Sequence, residues 1–183
     1  PAQAGAVGVA LGDSAEASLL SEGGVALGSF AKARGRNSVA LGRASRVDET
    51  ADGGFALGVL SSVAEVGGVA LGQSSSVQKG AENAVAIGAG SIATEGRTAS
   101  FGNAGLQRRL TNLARGTADH NATTVGQLND SLATLGGGAK LDGAGNIVSP
   151  TYTIQNVRHN TVASALDILD DAVIRTTSRV DRV

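Results

Sequence analysis

A tetrapeptide of the form Val-Ala-Leu-Gly recurs through the first part of the chain. Its glycines, the last from a degenerate copy, are Gly12, Gly28, Gly42, Gly58, Gly72, Gly88 and Gly102. The intervals between them alternate between 16 and 14 residues. A fixed period of this length is typical of solenoids, in which each repeat is one small unit stacked on the next. The sequence therefore predicts a repeat scaffold over residues 1–102.

The composition predicts that this scaffold has a thin core. Aromatic residues make up 2% of the 183 residues, and Trp, Met and Cys are absent. A compact globule usually needs large side chains to fill its centre, whereas a narrow solenoid packs small and branched aliphatic side chains across a short gap. The 27 glycines agree with at least one tight turn in each repeat.

Each repeat contains two short stretches of alternating apolar residues, which indicate two β-strands joined by a bend at the glycine. In the first strand we expect the first and third residues of the tetrapeptide to point inward. The third residues would then form a continuous spine of Leu11, Leu27, Leu41, Leu57, Leu71, Ile87 and Phe101. In the second strand the inward residues are expected three and five positions after each glycine, as at Ser61 and Val63. Loops of seven and five residues alternate between the repeats.

The middle residue of the first strand is accordingly expected to point outward. It is alanine in six successive repeats, at Ala10, Ala26, Ala40, Ala56, Ala70 and Ala86. Small residues suit close approach of another backbone, so this ladder predicts contact with a second copy of the chain. The alternative is that alanine only relieves crowding within the sheet. The outward residues of the second strand are mostly polar and predict a solvated face: Glu16, Lys32, Arg46, Ser62, Ser76 and Ile92.

Two later segments carry the heptad spacing of a coiled coil. The first has Val125, Leu128, Leu132 and Leu135 and ends at Gly136-Gly137-Gly138. The second has Leu166, Leu169, Val173, Thr176, Val180 and Val183. Isolated helices need about 12 to 15 residues to be stable, so association must stabilise the first segment. The heptads do not settle the number of chains. Residues 139–161, between them, predict short strands.

Charge and composition exclude several classes of partner. The net charge is −1 at pH 7 with acidic and basic residues interspersed, which argues against nucleic acid and against an acidic membrane surface. The lack of cysteine excludes a disulfide framework and a thiol nucleophile. The sequence has neither a signal-peptide pattern nor an apolar run long enough to span a bilayer. We interpret the chain as a piece of a longer protein.

The Val-Ala-Leu-Gly repeats, with small residues three and five positions after glycine, resemble the head of trimeric autotransporter adhesins of the YadA type. The resemblance covers about residues 5–102. Residues 109–119 and the Val-Gly-Gln-Leu at 125–128 are similar to the neck that these proteins place between head and stalk. Segments 135–139, 150–154 and 165–170 are similar to the small connector that follows such necks. Residues 121–124 depart from the family's usual Asp-Ala-Val-Asn, and we expect Asn121 or Thr123 to cap the next helix.

The resemblance implies a mainly β fold, with a left-handed parallel β-roll, or solenoid, as the head of a side-by-side homotrimer. A neck, a short coiled-coil helix, a small β-containing connector and the start of a second coiled coil follow. The corresponding ranges are 1–102 for the head, 103–128 for the neck, 129–138 for the short helix with its Gly-rich end, 139–164 for the connector and 165–183 for the stalk. The subunit interface is expected to comprise the alanine ladder and the heptad residues, namely Val125, Leu128, Leu132, Leu135, Leu166, Leu169, Val173 and Val180.

The resemblance also implies a function, that of a non-enzymatic surface adhesin fragment that attaches to a host cell-surface or extracellular-matrix protein. It implies a place on the surface of a Gram-negative bacterium, with attachment to the outer membrane through a C-terminal anchor that this sequence lacks. Basic residues in adjacent turns are candidate ligand contacts, although surface charge is usually only solvated: Lys32, Arg34, Arg36, Arg43 and Arg46. The alternative is a structural spacer that projects a more distal binding domain.

A trimeric β-helix acyltransferase, with a histidine as general base, is a remote alternative. That class has a six-residue repeat, whereas the period here is 14 to 16 residues. His120 and His159 lie outside the repeats and lack a nearby pattern of carboxylate or serine partners. Asp48, Glu49 and Asp52 lack the spacing of a calcium-binding loop. We therefore predict no catalytic residue, no metal site and no cofactor.

Overall fold

The computed structural model describes residues 1–5, 7–18 and 22–182. The chain divides into two compact units, Pro1–Arg109 and Leu110–Val183. Within the described residues, the first unit consists of short parallel strands, and the second contains two helices and two small hairpins.

Strands of the first unit form two parallel sheets, each with seven strands among the described residues. Sheet 1 contains the tetrapeptide strands, which are β2 (Val9–Leu11), β4 (Val25–Leu27), β6 (Val39–Leu41), β8 (Phe55–Leu57), β10 (Val69–Leu71), β12 (Val85–Ile87) and β14 (Ala99–Ser100). Sheet 2 contains β1 (Gln3–Ala4), β3 (Glu16–Ala17), β5 (Lys32–Ala33), β7 (Arg46–Val47), β9 (Ser62–Val63), β11 (Ser76–Val77) and β13 (Ile92–Ala93).

The strand register follows the sequence repeat. In sheet 1, Val39 pairs with Val25 on one side and with Phe55 on the other. In sheet 2, Arg46 pairs in the same way with Lys32 and Ser62. Each strand therefore lies beside its equivalent in the next repeat, and the backbone groups of successive turns satisfy one another. The predicted β-solenoid is confirmed.

Side chains of sheet 1 point in the opposite direction from the one predicted. Ala26, Ala40, Ala56, Ala70 and Ala86 are 0% exposed and belong to the core, against which Ala10 packs. The flanking positions face outward, since Leu11 keeps 69% of its surface exposed and Leu57 keeps 42%. The predictions of an outward alanine ladder and an inward leucine spine are therefore wrong.

The physical reason is the thinness of the core. Sheet 2 contributes two inward residues per turn, as predicted, and in one turn these are Ser61 and Val63, which are 0% and 1% exposed. The remaining gap between the sheets accepts a methyl group from sheet 1 but not a larger side chain. Because side chains alternate along a strand, an inward alanine places the valine and leucine beside it on the outer face.

The bend after each sheet 1 strand depends on close stacking of glycines. Gly58 has a φ of +134°, and a Cβ at that position would lie 2.4 Å from the carbonyl oxygen of Gly72 in the next turn. The second residue after the glycine, here Leu60, has a left-handed φ of 60°. The third, Ser61, donates its hydroxyl to the carbonyl of Gly58 at 2.9 Å. The bend thus satisfies a buried polar side chain within its own turn.

Residues 102–108 close the C-terminal end of the roll. The Ile92 amide donates to the Gly102 carbonyl at 2.8 Å, and Asn103 Nδ2 donates to the carbonyl of Gly90 at 2.7 Å. The guanidinium of Arg108 donates to the carbonyls of Phe101 and Ala89 at 2.7 and 2.6 Å and to Ser91 Oγ at 2.9 Å. In earlier turns, a Cβ built on the bend glycine would contact the bend glycine of the next turn. At Gly88 the Cβ would instead lie 3.1 Å from the guanidinium of Arg108. Arg108 therefore takes the place of a further turn.

The second unit begins its regular structure at α1 (Val125–Ala133), whose N-cap is Thr124. The predicted caps, Asn121 and Thr123, are wrong, because Thr124 and Gln127 form a capping box. The side chain of Asn121 instead accepts hydrogen bonds from the amides of Thr117 and Ala118.

Two antiparallel hairpins follow, β15 (Lys140–Leu141) with β16 (Ile147–Val148) and β17 (Tyr152–Ile154) with β18 (Val157–His159). Helix α2 (Val162–Val180) begins at the N-cap Thr161 and packs on the second hairpin. The two hairpins confirm the short strands that were predicted for residues 139–161. Val183, predicted as the last heptad position, lies outside the described residues.

Replacement of Gly58 by alanine is expected to destabilise the roll by about 3 kcal/mol, because overpacking and the left-handed backbone act together. Urea unfolding monitored by circular dichroism at fixed protein concentration measures this loss. The control is Gly53→Ala, at a φ of +67° but with no atom within 4 Å of the added Cβ. That variant is expected to lose about 1 kcal/mol. Equal losses in the two variants would contradict the stacking role of the bend glycines.

Candidate functional site

The outer surface of sheet 1 is a continuous apolar face, which we call the Val–Leu face. One column consists of Val9, Val25, Val39, Phe55, Val69 and Val85, and the other of Leu11, Leu27, Leu41, Leu57, Leu71 and Ile87. These side chains are half-buried or exposed in the single chain. Isolated exposed apolar residues are ordinary, but a contiguous apolar surface marks a place where another surface binds.

The Val–Leu face was not predicted from the sequence, because both of its columns were assigned to the core. A signal for the correct orientation was present in the sizes of the residues. The Ala column is uniform from Ala10 to Ala86, as a core of constant width requires, whereas the column that starts at Val9 also accepts Phe55.

The outer surface of sheet 2 is polar, as predicted, and its charges are largely paired. Arg34 donates two hydrogen bonds to Glu16, both at 3.1 Å, across neighbouring turns. Arg46 forms an ion pair with Asp48. The hydrogen bond and the negative charge of Asp48 both raise the pKa of Arg46. Beyond this pair the face becomes small and neutral, and Ser62 Oγ donates to Ser76 Oγ at 3.0 Å.

The five basic residues predicted as ligand contacts lie on three parts of the first unit, namely the outer surface of sheet 2, a loop and a bend. Lys32 and Arg46 are register partners on the outer surface of sheet 2, and Arg34 is held there by Glu16. Arg36 lies in a loop, where its amide donates to Asp52 at 2.8 Å, and Arg43 lies in the bend after Gly42. Lys32, Arg36 and Arg43 have no ion pair among the described residues.

In the second unit the predicted heptad residues are mostly exposed in the single chain. Val125 is 68% exposed and Val180 is also 68% exposed, whereas Leu132 is nearly buried at 9%. Leu135, Leu166 and Leu169 line an open apolar cleft of about 640 Å³ between α2 and the second hairpin. Helices that leave such a stripe uncovered in one chain have the surface that a coiled coil buries.

The segment before α1 is tied to the helix by Gln127. Its amide nitrogen donates to the Gly116 carbonyl at 2.8 Å, and its amide oxygen accepts from the amides of Gly116 and Thr124 at 2.9 and 3.1 Å. Arg115 forms an ion pair with Asp130 beside it. One side chain thus joins the loop before α1 to the first turn of the helix.

His120 and His159 are not arranged as a catalytic pair. His120 is exposed in a turn, and His159 Nε2 is buried without a hydrogen-bond partner in the described structure. No group of three or more His, Cys, Asp or Glu residues in the described part of the chain is placed to hold a metal ion. The part of the chain that the structure describes contains two helices, α1 and α2. Neither is both long enough and apolar enough to cross a membrane.

Two segments of the chain, residues 21–45 and 66–91, match the family model of the YadA head domain repeat. The structure is similar to the crystal structure of the collagen-binding domain of the Yersinia adhesin YadA, with a TM-score of 0.55 and 30% sequence identity. That similarity covers 70% of this chain and 76% of the YadA domain.

Two curated proteins are also similar to this chain. The trimeric autotransporter adhesin AtaA of Acinetobacter sp. (strain Tol 5) is 34% identical over 82 residues, which are 39% of this chain and 2% of AtaA. The autotransporter adhesin EhaG of Escherichia coli O157:H7 is 40% identical over 81 residues, which are 40% of this chain and 5% of EhaG. The chain therefore spans only a small fraction of the length of these relatives.

Replacement of Gln127 by alanine is expected to destabilise the second unit by about 2 kcal/mol, because it leaves the Gly116 amide and carbonyl without their partners. The readout is hydrogen exchange at residues 115–128, which should speed up while exchange in the roll stays unchanged. Ser131→Ala, which removes one exposed hydroxyl of the same helix, is the control. Unchanged exchange in Gln127→Ala would show that Gln127 does not hold residues 115–124 against α1.

Proposed function

Because this chain belongs to the trimeric autotransporter adhesins with YadA-type heads, we propose that it is an attachment module that works as a homotrimer on the surface of a Gram-negative bacterium. In this proposal the module binds a host cell-surface or extracellular-matrix protein and performs no chemistry. The observation that carries the proposal is the Val–Leu face. A face of this kind has no role in a single chain exposed to water, and it explains why each repeat carries large apolar side chains outside its core.

The proposed subunit interface differs from the one predicted from the sequence. The Val–Leu face replaces the alanine ladder, whose methyl groups lie inside the roll. The seams on α1 and α2 remain part of the proposal, with Leu128, Leu135, Leu166 and Leu169 among their exposed apolar residues. The proposed interface thus consists of the Val–Leu face in the first unit and two helix seams in the second, and all three surfaces require further copies of the chain to cover them.

Sheet 2 is the face proposed for the ligand. With the Val–Leu face covered by neighbouring copies, the polar outer surface of sheet 2 and its flanking loops stay in water. Three identical faces on one assembly multiply weak contacts, so that tight attachment does not require a deep pocket. The similar YadA domain is described as collagen-binding, and we propose a fibrous matrix protein of this class as the first ligand to test.

A matched pair of adjacent substitutions tests the homotrimer. Leu57→Glu places a charge on the Val–Leu face, whereas Ala56→Glu places one in the core. We expect Leu57→Glu to keep the β circular dichroism spectrum and to raise the concentration at which the trimer dissociates by about tenfold or more. Ala56→Glu is expected to unfold the roll, because burial of an unpaired charge costs more than about 4 kcal/mol. Light scattering and circular dichroism measure both effects. Unchanged assembly in Leu57→Glu would overturn the proposed interface.

A charge-neutralised variant tests the ligand face. Replacement of Lys32, Arg36 and Arg43 by serine is expected to weaken binding to immobilised collagen or host cells about tenfold, because each exposed charge contributes about 0.5 kcal/mol. The control replaces Lys140, Arg158 and Arg179, which lie in the second unit, and changes the net charge equally. Equal binding by the two variants would exclude the basic residues as contacts. If the unaltered chain binds neither ligand while a longer form of the protein does, the spacer alternative is correct.

A further inference from the structure

A small cavity opens where the first bends of the roll meet the outer surface of sheet 2. Its volume is about 260 Å³, and its lining consists of Pro1, Gln3, Ser14, Ala15, Glu16, Phe30 and Lys32. Gln3, Glu16 and Lys32 are register partners in three successive strands of sheet 2. Ser14 and Phe30 each follow their bend glycine by two residues. The cavity therefore belongs to the sheet 2 side of the roll and not to the Val–Leu face.

Phe30 gives this cavity an aromatic wall, in a conformation that its own backbone disfavours. Its φ is 62°, and the residue is 51% exposed. Bulky residues rarely adopt a left-handed backbone, and within the described part of the chain Phe30 is the only aromatic residue that does so. Its amide donates to the carbonyl of Asp13 at 2.8 Å, which fixes the bend that carries the ring. Strain of this kind is retained where the side chain serves a contact.

The charged groups of the cavity are unequally paired. Glu16 accepts two hydrogen bonds from Arg34, both at 3.1 Å, and this pair compensates its charge. Lys32 forms no ion pair with any residue in 1–5, 7–18 or 22–182. The cavity thus offers one uncompensated side-chain ammonium group, which suits a carboxylate. The Glu16 carboxylate has about four lone-pair sites, so it keeps acceptor capacity beside the two bonds from Arg34.

The other polar groups favour a ligand that also carries hydroxyl donors. The Ser14 hydroxyl donates to the neighbouring Asp13 carboxylate at 3.4 Å and can accept in turn. The Gln3 amide can both donate and accept. A ligand that has carboxylates alone would bring no donor to these acceptors and would be repelled by the acidic groups. An acidic sugar meets every requirement, because its carboxylate suits Lys32, its hydroxyls suit the acceptors and the apolar face of its ring suits Phe30.

We propose that this cavity binds a carboxylate-bearing sugar ring, with Phe30 against the ring and Lys32 on the carboxylate. Pockets that enclose a whole small molecule measure about 300–1,000 Å³, so a cavity of 260 Å³ fits one ring of a longer glycan. Such rings end sialylated glycans and recur in glycosaminoglycans that contain uronic acid. The inference goes beyond the proposed matrix protein ligand, and it does not require the homotrimer because one chain supplies the whole cavity.

Binding to immobilised probes tests the class of ligand. The probes are oligosaccharides that end in sialic acid, in glucuronic acid or in neutral galactose, and a polyglutamate peptide. We expect the unaltered chain to bind one or both acidic sugars about fivefold more tightly than the galactose probe, because only the acidic rings pair with the ammonium group. The two acidic probes distinguish the two sources of the ring. Equal binding of acidic and neutral sugars, or of polyglutamate and acidic sugars, would overturn the proposal.

Substitutions that the fold accepts test the two residues. Phe30→Asn removes the ring and suits the left-handed bend, so the roll is expected to keep its circular dichroism spectrum while binding of the acidic sugar weakens about tenfold. Lys32→Gln is expected to remove the preference for acidic over neutral sugars. The matched controls are Ser74→Asn, in the same bend position of a later turn, and Arg46→Gln, whose guanidinium is already paired with Asp48. Neither control is expected to change sugar binding.

Binding to collagen separates this inference from the proposed function. Phe30→Asn is expected to bind immobilised collagen as the unaltered chain does. A chain that binds the acidic sugar but not collagen would contradict the proposed matrix ligand alone. Acidic-sugar binding that is the same in Phe30→Asn as in the unaltered chain would overturn the sugar site alone. If the unaltered chain binds no acidic sugar and Phe30→Asn loses collagen binding, the cavity is part of the protein-binding face and the sugar site is wrong.

Discussion

The approach of one bend glycine to the next is the constraint on which the roll depends. At 2.4 Å between a Cβ built on Gly58 and the carbonyl oxygen of Gly72, successive turns leave no room for a side chain. This contact fixes the close stacking of the turns at the bend between the sheets. The narrow gap between the sheets admits only alanine from sheet 1 against alanine, serine or valine from sheet 2. The space left opposite sheet 2 cannot hold a larger side chain from sheet 1, so the valine and leucine of each sheet 1 strand lie outside the core.

The outward position of these residues explains why the two faces of the roll differ. Sheet 1 presents an apolar surface that one chain cannot cover, whereas sheet 2 presents paired charges such as Arg34 with Glu16 and a run of small hydroxyls. In a stacked architecture each such difference is repeated at every turn. The proposed self-association and the proposed ligand contact therefore use opposite sides of the same short repeat.

The period, the strand positions and the bends could be predicted because they are encoded by local signals, namely alternation and the turn residues around Gly58 and its equivalents. The orientation of sheet 1 could not be predicted from alternation alone, because Val-Ala-Leu is apolar at all three positions and either face satisfies the pattern. The uniform size of the alanine column carried the missing information. The helix cap was also readable, since Thr124 and Gln127 have the spacing of a capping box. The positions of Arg36 in a loop and of Arg43 in a bend could be assigned only from the fold.

The closure of the roll at residues 102–108 has a mechanical consequence. A pull on the chain from the C-terminal side enters the first unit through Arg109, the residue after Arg108. Peeling of β14 from β12 must therefore begin with rupture of the hydrogen bonds that Arg108 makes to Phe101, Ala89 and Ser91. These bonds belong to a charged donor and are stronger than those between neutral groups. Tension from that side would thus have to break these charge-assisted bonds first, before any turn of the solenoid is exposed.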